Sequence, residues 1–166
     1  MINTSEWPTD DIEIIIRKYG DMLYRLSLIM LKNESDAEDV VQETIIKYYQ
    51  KSPVFVDSEH EKAWLIKVAT NKCRDLLRVR GRYIQIEENF LKQIADEETD
   101  YGIIEALTVL PEKYRLVLTL YYIEGYRIED IAKIISRTSS AVKMRLQKGR
   151  KLLKEIYENC ICFQLL

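Results

Sequence analysis

Only five glycines and three prolines interrupt 166 residues, and the prolines stand far apart at Pro8, Pro53 and Pro111. These residue types oppose helix most strongly, by about 1 and 3 kcal/mol relative to alanine. A chain so poor in them, and rich in Leu, Ile, Lys and Glu, is expected to be all-α. Pro53 stops one helix within "KSPVFVD", whereas Pro111 fits the first position of another in "LPEKYR". With 47% hydrophobic and 31% charged residues, the composition suits a folded chain rather than a disordered one.

Several function classes are disfavoured. No run of about 18 apolar residues suggests a membrane span. The acidic start "MINTSEWPTDDIE" does not read as a signal peptide. Cys73, Cys160 and Cys162 lack a disulfide-like spacing, which fits a reducing cytoplasm. With one histidine, His60, and scattered cysteines, no metal site or other cofactor is expected. No nucleophile–base constellation or glycine-rich phosphate loop stands out, so an enzyme and a small-molecule substrate are not expected.

The net charge of −2 conceals a segregated pattern. Residues 33–46 hold five acids (Glu34, Asp36, Glu38, Asp39, Glu43) and no base. Residues 62–82 hold seven bases against Asp75 alone, and residues 83–112 hold eight acids against Lys92 alone. Residues 137–154 then carry seven bases and no acid. The expected organisation is a helical domain at 1–82, an acidic linker at 83–102 and a second helical domain at 103–166.

In the first domain, "SDAE" at 35–38 reads as a capping box that opens a helix to about Gln50. Ala37, Val41, Thr44 and Tyr48 would face inward, while Asp39, Gln42, Glu43 and Ile46 share another side. That side suits docking on a basic protein surface, or plain solvation. "SEHE" at 58–61 repeats the capping pattern and opens a helix to about Val79. Its inward stripe is Leu65, Ala69, Lys72 and Leu76, flanked by Ile66, Cys73 and Leu77. Trp64, Lys67, Asn71, Arg74 and Arg78 line a separate face. An aromatic ring with cations and an amide suits single-stranded nucleic acid, where rings stack on bases and cations meet phosphates. A half-buried tryptophan with solvated basic neighbours would give the same spacing. Val54, Phe55 and Val56 between the helices either plug the core or shape a pocket for an extruded base.

In the second domain Gly125 ends one helix, and Ile128, Ile131 and Ile135 face inward on the next, with Ala132 small enough for close packing. A turn spans 136–138, and Thr138 is a plausible N-cap. On the last helix Val142, Leu146, Gly149, Leu153 and Ile156 form one seam. Ser140, Lys143, Met144, Gln147, Lys151 and Lys154 lie opposite, and Arg145 and Lys148 flank the seam. Two short helices joined by a tight turn, the second basic on its free face, form a helix-turn-helix that binds DNA. Its cations meet phosphates and its first residues meet base edges.

"SDAEDVVQETIIKYY", "AWLIKVATNKCRDLLRVRGR" and "LPEKYRLVLTLYYIEGYRIEDIAKIISRTSSAVKMRLQKGRKLL" resemble, in this order, bacterial RNA polymerase sigma factors of the extracytoplasmic-function (ECF) type, in the sigma-70 superfamily. The resemblance implies a transcription initiation factor with two partners, core RNA polymerase and promoter DNA. Asp36, Glu38, Asp39, Gln42, Glu43 and Ile46 would dock on the polymerase. Phe55, Ser58, Glu59 and His60, with Trp64, Lys67, Asn71, Arg74 and Arg78, would open and hold the −10 element. Arg137, Thr138, Ser139, Ser140, Lys143, Met144, Arg145, Gln147, Lys148 and Arg150 would serve the −35 element. The acidic linker would run through the polymerase. The family also implies an anti-sigma factor, often anchored in the membrane. Two departures stand out: Ser136 occupies a turn position where the family often has glycine, and Arg137 one that is usually apolar. A repressor or activator on the same helix-turn-helix, or a nucleic-acid enzyme, would be the competing classes. The first needs a dimer face or effector pocket, the second a carboxylate cluster with a metal, and neither feature is evident. The apolar tail "NCICFQLL" is expected to pack back on the second domain or to touch a regulator.

Overall fold

The computed structural model describes residues 9–51, 53–80 and 101–164, which form seven α-helices and no strand. Helices α1 (Thr9–Leu31), α2 (Glu34–Lys51) and α3 (Ser58–Arg80) make one bundle. Helices α4 (Tyr101–Val109), α5 (Glu112–Leu118), α6 (Ile128–Ile134) and α7 (Ser139–Gln164) make a second. A π-helical turn, Thr119–Ile123, extends α5. The all-α expectation holds. Most of the acidic linker, 83–100, and the side chains of the tail from 159 onward lie outside the described residues.

Helix α1 is an element that the sequence reading does not assign, although the signal for it is present. Leu26, Leu28, Ile29, Met30 and Leu31 are all buried. Consecutive residues 100° apart cannot share one face, so a helix apolar all round must be covered on more than one side. Helices α2 and α3 cover one side, and the second bundle reaches another. One apolar core therefore runs through both halves, from Leu23, Val40 and Ile66 to Leu116, Ile131 and Leu146.

Arg115 ties the halves together. Its Nη1 donates to the Thr108 carbonyl at 2.6 Å and its Nη2 to the Met30 carbonyl at 3.0 Å. Both acceptors sit in the last turn of a helix, where carbonyls lack intrahelical partners and a cation suits the dipole. Burial lowers the Arg115 guanidinium to about 10, despite the opposing pull of Glu112.

The helix starts differ from the sequence reading. Asn33, not Ser35, caps α2, its Oδ1 accepting from the Asp36 amide at 2.8 Å. Asp57, not Ser58, caps α3, its Oδ1 accepting from the His60 amide at 2.7 Å. Ser35 is exposed inside the first turn. In each case another acceptor lies one or two residues upstream, and both side-chain types serve as N-caps. Thr138 caps α7 as expected, accepting from the Ala141 amide at 3.2 Å.

The turn before α7 closes in the Schellman manner: Arg137 N–H donates to the Ala132 carbonyl and Ser136 N–H to that of Lys133. Ser136 sits at φ 53°, the left-handed region glycine favours. The turn keeps its tight geometry and a serine bears the strain. On α7 Val142, Leu146 and Gly149 are buried, as the seam requires. A Cβ at Gly149 would meet Leu118 Cδ1 at 3.1 Å, so glycine there permits close approach of α5.

Candidate nucleic-acid interface

Helix α3 presents the mixed face its spacing predicts. Lys67, Asn71 and Arg78 are exposed, and Trp64 and Arg74 are half-buried. Arg78 is tied to Asp75 on its own helix, and Arg74 Nε pairs with Glu112 Oε1 of the second half at 2.9 Å. Lys72 leaves the inward stripe expected for it. Its Nζ reaches Glu43 Oε2 at 2.6 Å on the rim of α2, because the four-carbon stem can lie along the seam while the charge exits. The buried line is instead Leu65, Ile66, Ala69 and Cys73, and burial pushes the Cys73 thiol up to about 12.

In the loop before α3 the three residues of "VFV" take different environments. Phe55 turns inward, while Val54 and Val56 are 92% and 88% exposed. The Phe55 ring stacks on Tyr48, with centroids 5.9 Å apart and planes 18° apart, and meets Trp64 edge-on at 5.9 Å. Tyr48 meets Trp64 edge-on at 6.1 Å, so the three rings close a triangle. His60 abuts Phe55 at 5.4 Å. Ser58, Glu59 and His60 are exposed at the start of α3. Beneath the rings, Glu61 accepts from Tyr19 OH at 2.6 Å, Tyr48 OH at 2.7 Å and Lys18 Nζ at 3.1 Å. Burial would raise that carboxyl, but these three donors outweigh it and hold it below its usual value.

On α7 the free face is exposed where expected: Ser140, Lys143, Met144, Gln147, Lys151 and Lys154 all reach solvent, as does Lys148 beside the seam. Arg137 and Thr138 are exposed just before the helix, and Ser139 is half-buried. Arg150 is also exposed, but its Nε donates to Tyr122 OH at 2.7 Å and its guanidinium lies 5.7 Å from the centroids of the Tyr121 and Tyr122 rings. Arg145 is half-buried. Burial, then the Arg137 and Arg74 charges, lower its guanidinium below the usual value. Cations from both halves thus converge near α5.

The acidic side of α2 is Glu38, Asp39, Gln42, Glu43 and Ile46, all exposed. Asp36 is a correction: it is 6% exposed and lies within the buried side of the helix. At about 100° per residue, position 36 falls about 20° from Glu43 and about 40° from the buried Val40, so it sits at the boundary of the acidic side, and packing of the first turn takes it out of reach.

Contacts between the halves use residues the sequence reading does not single out. The Glu124 carboxylate, 3% exposed, lies 3.5 Å from Arg25 and 3.6 Å from Lys62 of the first half. Lys62 also sits over the Tyr126 ring at 5.2 Å. Beside this contact a cleft of about 670 Å³ opens between α3 and α6, lined by Asp57, His60, Trp64 and Lys67 on one side and by Tyr126, Arg127 and Lys133 on the other. Glu61 and Glu112 carried only a helix-start signal in the sequence, in "SEHE" and "LPEKYR", and Glu124 carried none. Their partners come from other helices, and spacing along one helix does not report such pairs.

A family described as Sigma-70 region 2 matches residues 15–83, and one described as Sigma-70, region 4 matches residues 102–153. The RNA polymerase sigma factor SigV of Bacillus subtilis is 30% identical over 135 residues, covering 79% of this chain and 81% of that protein. The ECF RNA polymerase sigma factor SigM of the same organism is 30% identical over 155 residues, covering 88% of this chain and 94% of that protein. The chain belongs to the ECF sigma factors. As a sigma factor it is a transcription initiation factor of a class that is not catalytic. Its fold is also that of the sigma factor RpoE of Bartonella quintana, solved in complex with the anti-sigma factor NepR, at a TM-score of 0.71 and 22% identity over 90% of this chain and 98% of that one. In this sigma factor the region 2 match spans α3 and the acidic side of α2, and the region 4 match spans the helix-turn-helix. No helix among the described residues is long and apolar enough to cross a membrane.

Proposed function

We propose that this sigma factor binds core RNA polymerase through the exposed side of α2, captures the opened −10 element on α3 and reads the −35 element with α7. The observation that carries the proposal is the placement of two basic faces on one chain, each beside side chains able to read bases. On α3, Lys67 lies one turn beyond Trp64 of the ring triangle, and Asn71 one turn further, both exposed. On α7, Ser140, Lys143 and Met144 stand clear of the protein at the capped end of the helix, with Met144 71% exposed.

Phosphates would settle the position of α7 through Lys143, Lys148 and Arg137, while Ser140, Met144 and Gln147 face base edges. On α3 an unpaired base stacks on a ring, and the stacking offsets part of the unstacking of the duplex. The polymerase supplies the chemistry and this chain supplies the address. Arg74 would exchange Glu112 for a phosphate as the halves part. An anti-sigma factor, which would hold this cytoplasmic chain at the inner face of the membrane, is the expected inhibitor. The fold match to a sigma factor solved with its inhibitor supports that partner.

Mixing the purified chain with core polymerase and fragments of the native genome tests the assignment. Specific transcripts should appear only when both proteins are present. Asp39→Lys should weaken capture of core polymerase by about tenfold, a loss of about 1.4 kcal/mol, through like-charge contact with a basic surface. If the chain never co-migrates with core polymerase, or binds one duplex tightly by itself, the assignment fails and a conventional repressor takes its place.

A further inference from the structure

We propose that Glu61 is a positioning residue for strand capture: its carboxylate fixes the Tyr48 ring, and through it Phe55 and Trp64, in the arrangement that receives an unpaired base. The proposal rests on the reading of α3 given above.

Glu61 collects three side chains from two other helices. Tyr19 and Lys18 reach it from α1 and Tyr48 from α2, with each carboxylate oxygen engaged. The side chain is 14% exposed. A charge withdrawn this far contributes little to stability relative to an apolar replacement, because desolvation offsets most of the attraction. What such a group does supply is direction. A tyrosine ring anchored only by packing can pivot, whereas one whose hydroxyl is bound to a fixed oxygen keeps its plane.

That plane matters because Phe55 stacks on it. Phe55 belongs to the loop, not to a helix, and its seat in the ring triangle keeps Val54 and Val56 outside. Two further bonds fix the loop end: Asp57 caps α3, and the Val56 amide donates to His60 Nδ1 at 3.4 Å. Trp64 lies one turn beyond Glu61 on the same helix, so the anchor and the ring share one rigid element. The rings are in place before a base arrives, and no ordering is left for the moment of capture.

The test uses the full chain assembled with core polymerase and a fluorescein-labelled single-stranded DNA pool of random sequence. Tyr48→Phe removes the hydroxyl and keeps the ring; Glu61→Ala removes the anchor; Glu61→Gln keeps one acceptor oxygen. Tyr48→Phe and Glu61→Ala should each weaken pool binding about fivefold or more, the equivalent of losing one modest base stack. Glu61→Gln should recover part of the loss. Affinity for core polymerase should stay at the parent value, and the melting temperature of Tyr48→Phe should fall by no more than a few degrees, since Tyr19 and Lys18 still hold the carboxylate. With Trp7→Phe as background, Trp64 emission should change in Tyr48→Phe, a signature that a purely structural role would not give. If Trp64→Ala weakens pool binding while Tyr48→Phe does not, positioning by Glu61 is wrong and the α3 reading survives. If Trp64→Ala leaves binding unchanged, the α3 reading fails and the positioning role falls with it.

Discussion

Arg74 Nε donates to Glu112 Oε1 at 2.9 Å, and this single bond joins the basic face of α3 to the start of α5. Both side chains are about one-third exposed. An arginine committed to a carboxylate is not available to a phosphate, so the contact and DNA compete. Glu112→Gln should therefore raise the affinity of the free chain for random-sequence DNA, by up to about fivefold if the pair is worth up to about 1 kcal/mol. Fluorescence anisotropy at fixed salt measures this, and unchanged affinity would mean that Arg74 does not meet phosphate.

Lys143 stands exposed on the first turns of α7 and makes no ion pair among the described residues. If it meets a phosphate, Lys143→Ala lowers binding of the polymerase-bound chain to promoter and off-target duplex alike. The slope of log affinity against log salt should fall by about 1. A change confined to one base position would instead make Lys143 a reader of sequence.

Lys32 supplies a pH dependence. It ends α1 in the left-handed region at φ 56°, and burial, then the Arg115 charge, lowers its ammonium from 10.5 to about 8. Between those values the unfolded chain holds more protons than the folded one, so stability from this group rises with pH. Cys73 acts oppositely above 9.0, since its buried thiol stays protonated while the unfolded thiol ionises. The Lys32 effect is therefore clearest between about pH 8 and 9. Melting temperature should rise with pH more in the parent than in Lys32→Met, and Lys32→Met should be the more stable of the two at pH 7.

Ser136→Gly relieves the left-handed strain in the helix-turn-helix. The gain should be up to about 1 kcal/mol, since the relief of about 1–2 kcal/mol is partly offset by the greater freedom of glycine when unfolded. Chemical denaturation reads it directly, and a loss of stability would show that the serine side chain holds the turn.

Sequence periodicity anticipated α7 well. Val142, Leu146 and Gly149 recur on one side, and any packing partner has to meet that side. It anticipated α3 less well, because Lys72 falls on the inward stripe and escapes it along its flexible stem. Caps were legible as to residue type but not position, since Asn33 and Ser35 are both competent and only the chain's path chooses between them. Asp36 illustrates the limit on α2, where five acids within one segment say nothing about which of them faces the core.

The sequence alone determined what nearest neighbours on one chain decide: helix, turn chemistry, the apolar side of each helix and the segregation of charge. Tertiary structure decided which distant side chains meet. Arg115 and Met30 are 85 positions apart, and Glu61 and Tyr19 are 42 apart. Such pairs depend on how helices cross, a matter of collective packing that no local spacing encodes.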